Sequence, residues 1–148
     1  MELYKSTAHE LHEKLVKKEI SSVELTNNVY DRIAEVEKDV KAYVTLDKEN
    51  ALAQAAKVDK MIAAGETIAP LAGIPGAIKD NISTKGLRTT CSSKMLENLN
   101  PIYDAHVIKK LRADETIFLG KTNLDEFAMG STSETSYFGT SHNPWNLD

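Results

Sequence analysis

The chain has 148 residues, 41% hydrophobic and 27% charged, with seven glycines and four prolines, which fits one ordinary globular unit and excludes disordered and collagen-like chains. Its 18 basic and 22 acidic residues leave a net charge of -4 with no Lys/Arg cluster, so the attraction behind autonomous nucleic-acid binding is missing and any RNA contact would need a partner. The one cysteine, Cys91, excludes an internal disulfide and a multi-cysteine metal site, reads as structural, and fits a reducing compartment.

The first ten residues, MELYKSTAHE, carry charges where a signal peptide needs an apolar stretch, and no run approaches the length of a membrane span; a cytoplasmic protein is expected. Thr7-Ala8-His9-Glu10 has capping-box form, and Ala8, Leu11 and Leu15 recur at helical spacing, predicting a helix to about residue 18. Ser21-Ser22-Val23-Glu24 repeats the signal for a second helix to about residue 37, with Leu25, Val29, Ile33 and Val36 on one face. Residues 42–46 can form a short strand. Asp47 can cap a third helix over 48–64, with Leu52, Ala55, Val58 and Ile62 as its apolar stripe and Gly65 as its stop. The first 65 residues are thus mainly helical.

Beyond Pro70 the pattern changes, because residues 71–82 are too short and too rich in Gly and Pro for a helix but suit a strand. After a long loop, Asp104 can cap a short helix with Val107, Ile108 and Leu111 inward, and residues 115–121 read as a second strand. Thr122-Asn123-Leu124-Asp125 has capping form and predicts a further helix through Phe127 and Ala128. The alternation over 66–148 implies an α/β sheet with parallel pairing. GSTSETS, residues 130–136, forms a hydroxyl-rich loop, and Asn143-Pro144 marks a turn.

Two lysines end apolar strands: Lys79 in GIPGAIKDN and Lys121 in TIFLGK, each followed two places later by Asn. A lysine of ordinary pKa is neutral in only about one molecule in a thousand near pH 7.5, so a lysine base must be depressed by about three units, or about 4 kcal/mol, which burial at a strand end can supply. Spacing does not rank the two, and a lysine reaching solvent or pairing with a carboxylate is the plain reading of each. His9 and His12 lack the i, i+4 spacing of a zinc helix and have no third ligand nearby, so no metal site is expected. Ser141 and His142, as neighbours, do not suit a catalytic dyad. Asp125 and Glu126 fit a helix's first turn better than a carboxylate pair. In GSTSETS, small residues can expose backbone N–H groups to a developing oxyanion, or the loop can be a solvated connector; both readings stay open.

GIPGAIKDN, TTCSSKMLE, GKTNLDEFAMGSTSETSYFG and NPWNLD together resemble the amidase signature family, and within it the branch of A subunits of amidotransferases acting on Glu-tRNA(Gln). The likeness covers essentially the whole chain and is strongest from residue 73 onward. It implies an N-terminal part of a single amidase-signature domain: helices, then the first strands and helices of a mixed sheet left incomplete here. It also implies that Lys79 is the base of a Ser-Ser-Lys triad, that Lys121 is structural, and that Met129, Gly130 and Ser131 face the substrate. Gly76 departs from the apolar residue usual in the family. Both serines would follow Asp148, so the chain alone is expected to be inactive. By the same resemblance, the substrate is glutamine, whose ammonia converts Glu-tRNA(Gln) to Gln-tRNA(Gln), the partners are B and C subunits, tRNA is met only through the complex, and ATP and Mg belong to one of those partners, with no cofactor in this chain. A general amide hydrolase and a non-catalytic interaction module remain alternatives.

Overall fold

Thr7 begins the first long helix as its sequence predicts. Its hydroxyl accepts from the Glu10 N–H at 3.3 Å while the Glu10 carboxylate accepts from the Thr7 N–H at 2.8 Å, a complete capping box. The computed structural model describes residues 2–147; Met1 and Asp148, at the outer ends of MELYKSTAHE and NPWNLD, lie outside the described residues. The elements are α1 (Ala8–Val16), α2 (Ser22–Val40), β1 (Tyr43–Leu46), α3 (Lys48–Ala63), β2 (Pro75–Lys79), α4 (His106–Ala113) and β3 (Ile117–Thr122). Among the described residues no helix is long and apolar enough to cross a membrane.

The three strands form a mixed sheet in the order β1-β3-β2. β1 runs antiparallel to β3, with Thr45 opposite Lys121 and Leu46 opposite Gly120. A Cβ at Gly120 would collide with the Thr45 carbonyl, so this close crossing requires glycine. On the other side, hydrogen bonds climb both chains in one direction, from Gly73 with Glu115 to Ile117 with Ile74 and Asp80 with Thr122. That is the parallel pairing the strand-helix-strand alternation predicts.

Several boundaries differ from expectation. α2 continues three residues beyond 37, and its buried face is Leu25, Thr26, Tyr30 and Ile33, with Val29 and Val36 only half-buried. β2 begins at Pro75 because residues 69–74 fold into turns, Ala72 donating to Ala69 and Ile74 to Leu71. In α4 only Ile108 is buried, and Val107 is exposed. Asp104, expected as its cap, stands two residues before the helix and accepts from the Lys85 N–H at 2.7 Å. Asp47 stands at the N-cap of α3 but accepts from the Asn50 side chain and not from the helix backbone.

The described chain gathers into two compact units. One holds the residues up to Ile33, Asp47–Gly76 and Lys110–Leu119; the other holds Ala34–Leu46, Ala77–Lys109 and the residues from Gly120 onward. The first unit buries mostly hydrocarbon, including Leu11, Leu15, Leu25, Ala55, Val58, Ile74, Ile117 and Phe118. Its polar ties include the Asp59 carboxylate, which accepts from the Ser22 and Val23 N–H groups at the start of α2, the Ser22 hydroxyl, which donates to the Gly73 carbonyl at 2.9 Å, and the Tyr30 hydroxyl, which donates to the Leu119 carbonyl at 2.7 Å. The second unit is different. Beside Ile78, Leu87, Ile108 and Leu124 it buries Asp80, Thr84, Thr89, Thr90, Ser92, Ser93, Lys121 and Asp125. Such groups stay buried only when hydrogen-bonded, and their bonds build the candidate site.

Candidate functional site

β2 ends on Lys79 and hands directly to Asp80, whose side chain is fully buried. Alternation along the strand turns neighbours to opposite faces, so Ile78 and Asp80 go inward while Lys79 is exposed. One oxygen of Asp80 accepts from the Thr90 N–H at 3.1 Å, from the Thr90 hydroxyl, and from the Ser92 N–H at 3.4 Å. The backbone of Asp80 bonds on both sides, its N–H to Thr122 and its carbonyl to the Cys91 N–H. TTCSS thus folds back against the residue after Lys79.

β3 carries Lys121 near its end, and the side chain is fully buried. Its ammonium donates to the Ile82 carbonyl at 2.6 Å, the Thr89 hydroxyl at 2.8 Å and the Thr84 hydroxyl at 3.3 Å. Burial pushes its pKa down to about 8, against the opposing pull of Asp80 and Cys91. Burial, followed by Asp80, pushes the Cys91 thiol up, which makes it a poor nucleophile near neutral pH. The two strand-end lysines therefore part ways. Spacing left both open to burial or to solvent; Lys121 is buried because its ammonium turns in beneath the loop after β2, whereas Lys79 alternates to the face opposite the buried Ile78 and Asp80 and is exposed.

Downstream of β3 the expected helix does not form. Only a short 3-10 turn, Glu126–Ala128, is present, with Phe127 and Ala128 at φ 53° and 61°. Asp125, expected to serve a helix's first turn, is 5% exposed and accepts from the N–H groups of Thr132 at 3.0 Å, Ser133 at 2.8 Å and Thr135 at 3.4 Å, and from the Thr135 hydroxyl at 3.0 Å. These bonds, that from Ser133 foremost, hold its carboxyl below the ordinary carboxylate range. A carboxylate so engaged in a loop cannot cap a helix. Asn123 fixes the other side of the loop, its side-chain oxygen accepting from the Ser92 and Ser136 hydroxyls at 3.0 and 2.6 Å and its amide donating to the Gly139 carbonyl at 2.7 Å.

The result is an open cleft of about 390 Å³ within the second unit. Lys79, Asn123 and Asp125 line it together with Gly130, Ser131 and His142. Three of the four residues singled out by resemblance, Lys79, Gly130 and Ser131, thus share one cleft, while Met129 is 79% exposed and stands outside its lining. Ser141 and His142 both border the cleft but are committed apart: the hydroxyl of Ser141 donates to the Lys41 carbonyl at 2.8 Å, and His142 Nδ1 lies 3.2 Å from the Leu147 carbonyl. His9 and His12 line a separate cavity of about 180 Å³ with Pro70 and Leu71. Among the described residues no three His, Cys, Asp or Glu side chains converge as metal ligands.

Sequence reasoning missed the roles of Asp80 and Asp125. A signal was available for the first, since four hydroxyl residues around Cys91 cannot enter a core without a buried acceptor to bond to. The second had none, because the N–H groups that bond it lie seven to ten residues ahead in a loop of no fixed period.

The family described as Amidase matches residues 24–148. The chain is 55% identical over its full 148 residues to the A subunit of a glutamyl-tRNA(Gln) amidotransferase from Desulforamulus reducens, and it spans 30% of that relative's length. Among solved structures it is similar to the A subunit of a glutamyl-tRNA(Gln) amidotransferase from Thermotoga maritima, at 34% identity and TM-score 0.71 over 99% of this chain and 29% of that one. It is also similar to a peptide amidase from Stenotrophomonas maltophilia, at 30% identity and TM-score 0.88 over 97% of this chain and 31% of that one.

Proposed function

We propose, from the premise that this chain belongs to the amidase family, that it supplies the base and one wall of a site that hydrolyses a carboxamide, with glutamine as the substrate. The observation that carries this reading is the cleft that gathers Lys79, Gly130 and Ser131. In the reaction, Lys79 as a free amine takes the proton of a serine hydroxyl, and the serine oxygen bonds to the amide carbon. The C–N bond then breaks, the nitrogen leaves as ammonia carrying the relayed proton, and water clears the acyl-enzyme. The serines belong to protein beyond these residues, as does the dry cover that a lysine base needs, since Lys79 is exposed here. The named likeness to amidotransferase A subunits supports glutamine, and extends the proposal to ammonia delivery for Glu-tRNA(Gln), with B and C subunits as partners, ATP and Mg used by a partner, and a cytoplasmic setting. The higher TM-score with a peptide amidase favours a second reading, hydrolysis of other primary amides by the same Lys79.

The test is Lys79→Met in the complete protein that carries this chain, assayed for ammonia release from L-glutamine and from a peptide amide. The expected loss is about a thousandfold or more, with Lys121→Met retaining a measurable share if it folds. Equal activity in wild type and Lys79→Met would overturn the assignment, and turnover of the peptide amide alone would select the second reading.

A further inference from the structure

The loop around Gly130 is built on a charge that the proposed reaction does not use. Asp125 takes three backbone N–H groups from residues 132–135 and the Thr135 hydroxyl. Glu126 continues the same arrangement, its N–H donating to the Thr135 hydroxyl at 3.0 Å and its carboxylate accepting from Ser93 at 2.5 Å. Among the described residues the N–H groups of Gly130 and Ser131 find no acceptor, although both residues line the cleft with Lys79. Gly130 also passes so close to Asp125 that a Cβ there would stand 2.5 and 2.9 Å from the two carboxylate oxygens. Phe127 and Ala128 hold positive φ, a conformation that costs free energy for residues with a Cβ and persists only where the surroundings enforce it.

We infer that Asp125 is a positioning residue for substrate: by tying residues 132–135 to one carboxylate, it holds Gly130 and Ser131 at the cleft with their N–H groups left for an acceptor oxygen of the substrate. The inference deepens the reading of the cleft as a carboxamide site and rests on it. Two N–H donors on adjacent small residues match an oxygen, either the amide carbonyl or a terminal carboxylate. Asp125 touches neither substrate nor Lys79 in this scheme; it acts through the backbone it gathers. Asn at this position keeps the size but halves the acceptor capacity, because its NH2 group donates where a carboxylate oxygen accepted.

Steady-state kinetics of Asp125→Asn in the complete protein, with L-glutamine and with butyramide as substrates, test this. The expected result is a KM raised about fivefold, the size of one lost hydrogen bond, with kcat within about twofold. A rise for both substrates assigns the oxygen to the amide carbonyl, and a rise for glutamine alone assigns it to the carboxylate. Gly130→Ala, which forces the same contact open from the other side, carries the test if Asp125→Asn does not fold. In the double variant the two effects should fall short of multiplying, since both break one contact. An unchanged KM in either folded variant would overturn the inference, as would full multiplicativity or a loss confined to kcat. Affinity for both ligands, measured by calorimetry in the Lys79→Met background, separates this from the base assignment. A weaker Kd caused by Asp125→Asn there upholds the wall even where Lys79→Met keeps activity, and an unchanged Kd rejects the wall even where Lys79 proves essential.

Discussion

At Lys121 burial and charge oppose one another, and exchanging the ammonium for the thioether of Lys121→Met separates them. The folded chain lowers the pKa from 10.5 to about 8, chiefly by burial. Between those values the unfolded chain holds a proton that the folded chain has released, so raising pH through the window stabilises the folded state. Below pH 8 both states are protonated and the pH dependence from this group ends. At about 1.36 kcal/mol per pKa unit, wild type should gain about 3 kcal/mol between pH 7.5 and 10.5, a gain that Lys121→Met cannot show. At neutral pH the variant loses three hydrogen bonds, but Thr84 and Thr89 also donate to the Ile82 and Leu87 carbonyls, which limits the damage. Urea denaturation of both proteins across this range, in a Cys91→Ser background that removes the nearest competing titration, gives the difference curve. Parallel curves for wild type and variant would refute the reasoning, as would a lysine 15N resonance titrating near 10.5 in the folded protein.

Three further substitutions probe the sheet. Gly120→Ala should destabilise by more than about 2 kcal/mol, since its Cβ meets the Thr45 carbonyl of the paired strand, whereas Gly76→Ala, whose Cβ would meet Thr116 Cγ2 at 3.6 Å and the Ile117 carbonyl at 3.9 Å, both ordinary contacts, should cost under about 1 kcal/mol; equal losses in denaturant titrations would contradict the close crossing. Tyr30→Phe removes a buried donor from the Leu119 carbonyl, but that carbonyl still accepts from the Asp47 N–H. The loss should be about 1 kcal/mol and no more than 2, and a neutral melt would mean the hydroxyl bond adds nothing.

Where one local rule decides the outcome, the sequence reads well. The Thr7 capping box follows from a cap that acts within a few residues, and of the predicted α3 stripe Ala55 and Val58 are buried while Leu52 and Ile62 are half-buried; the parallel pairing of β2 with β3 follows from the strand-helix-strand order. The reading fails where a polar side chain has a distant claim on it. Asp125 looks like a first-turn acid of a helix and serves a loop instead, because the N–H groups that reach it belong to residues 132–135, and Asp104, which looks like a helix cap, accepts from the distant Lys85 N–H. The resemblance named Lys79, Gly130, Ser131 and Met129, and the structure puts the first three on one cleft and leaves Met129 on the surface.

By itself, then, the order of residues determined that two lysines would end two apolar strands, that a long loop would follow the first and that a hydroxyl-rich loop would lie beyond the second. Only the tertiary structure decided which lysine is dry. The loop after β2 brings the Ile82 carbonyl and the Thr84 and Thr89 hydroxyls around the Lys121 ammonium and excludes water there, whereas Lys79 points to the opposite face from Ile78 and Asp80 and meets water. Which loop closes over a strand end is a non-local property, set here by contacts 32 to 39 residues apart, and no count of residues along the chain contains it.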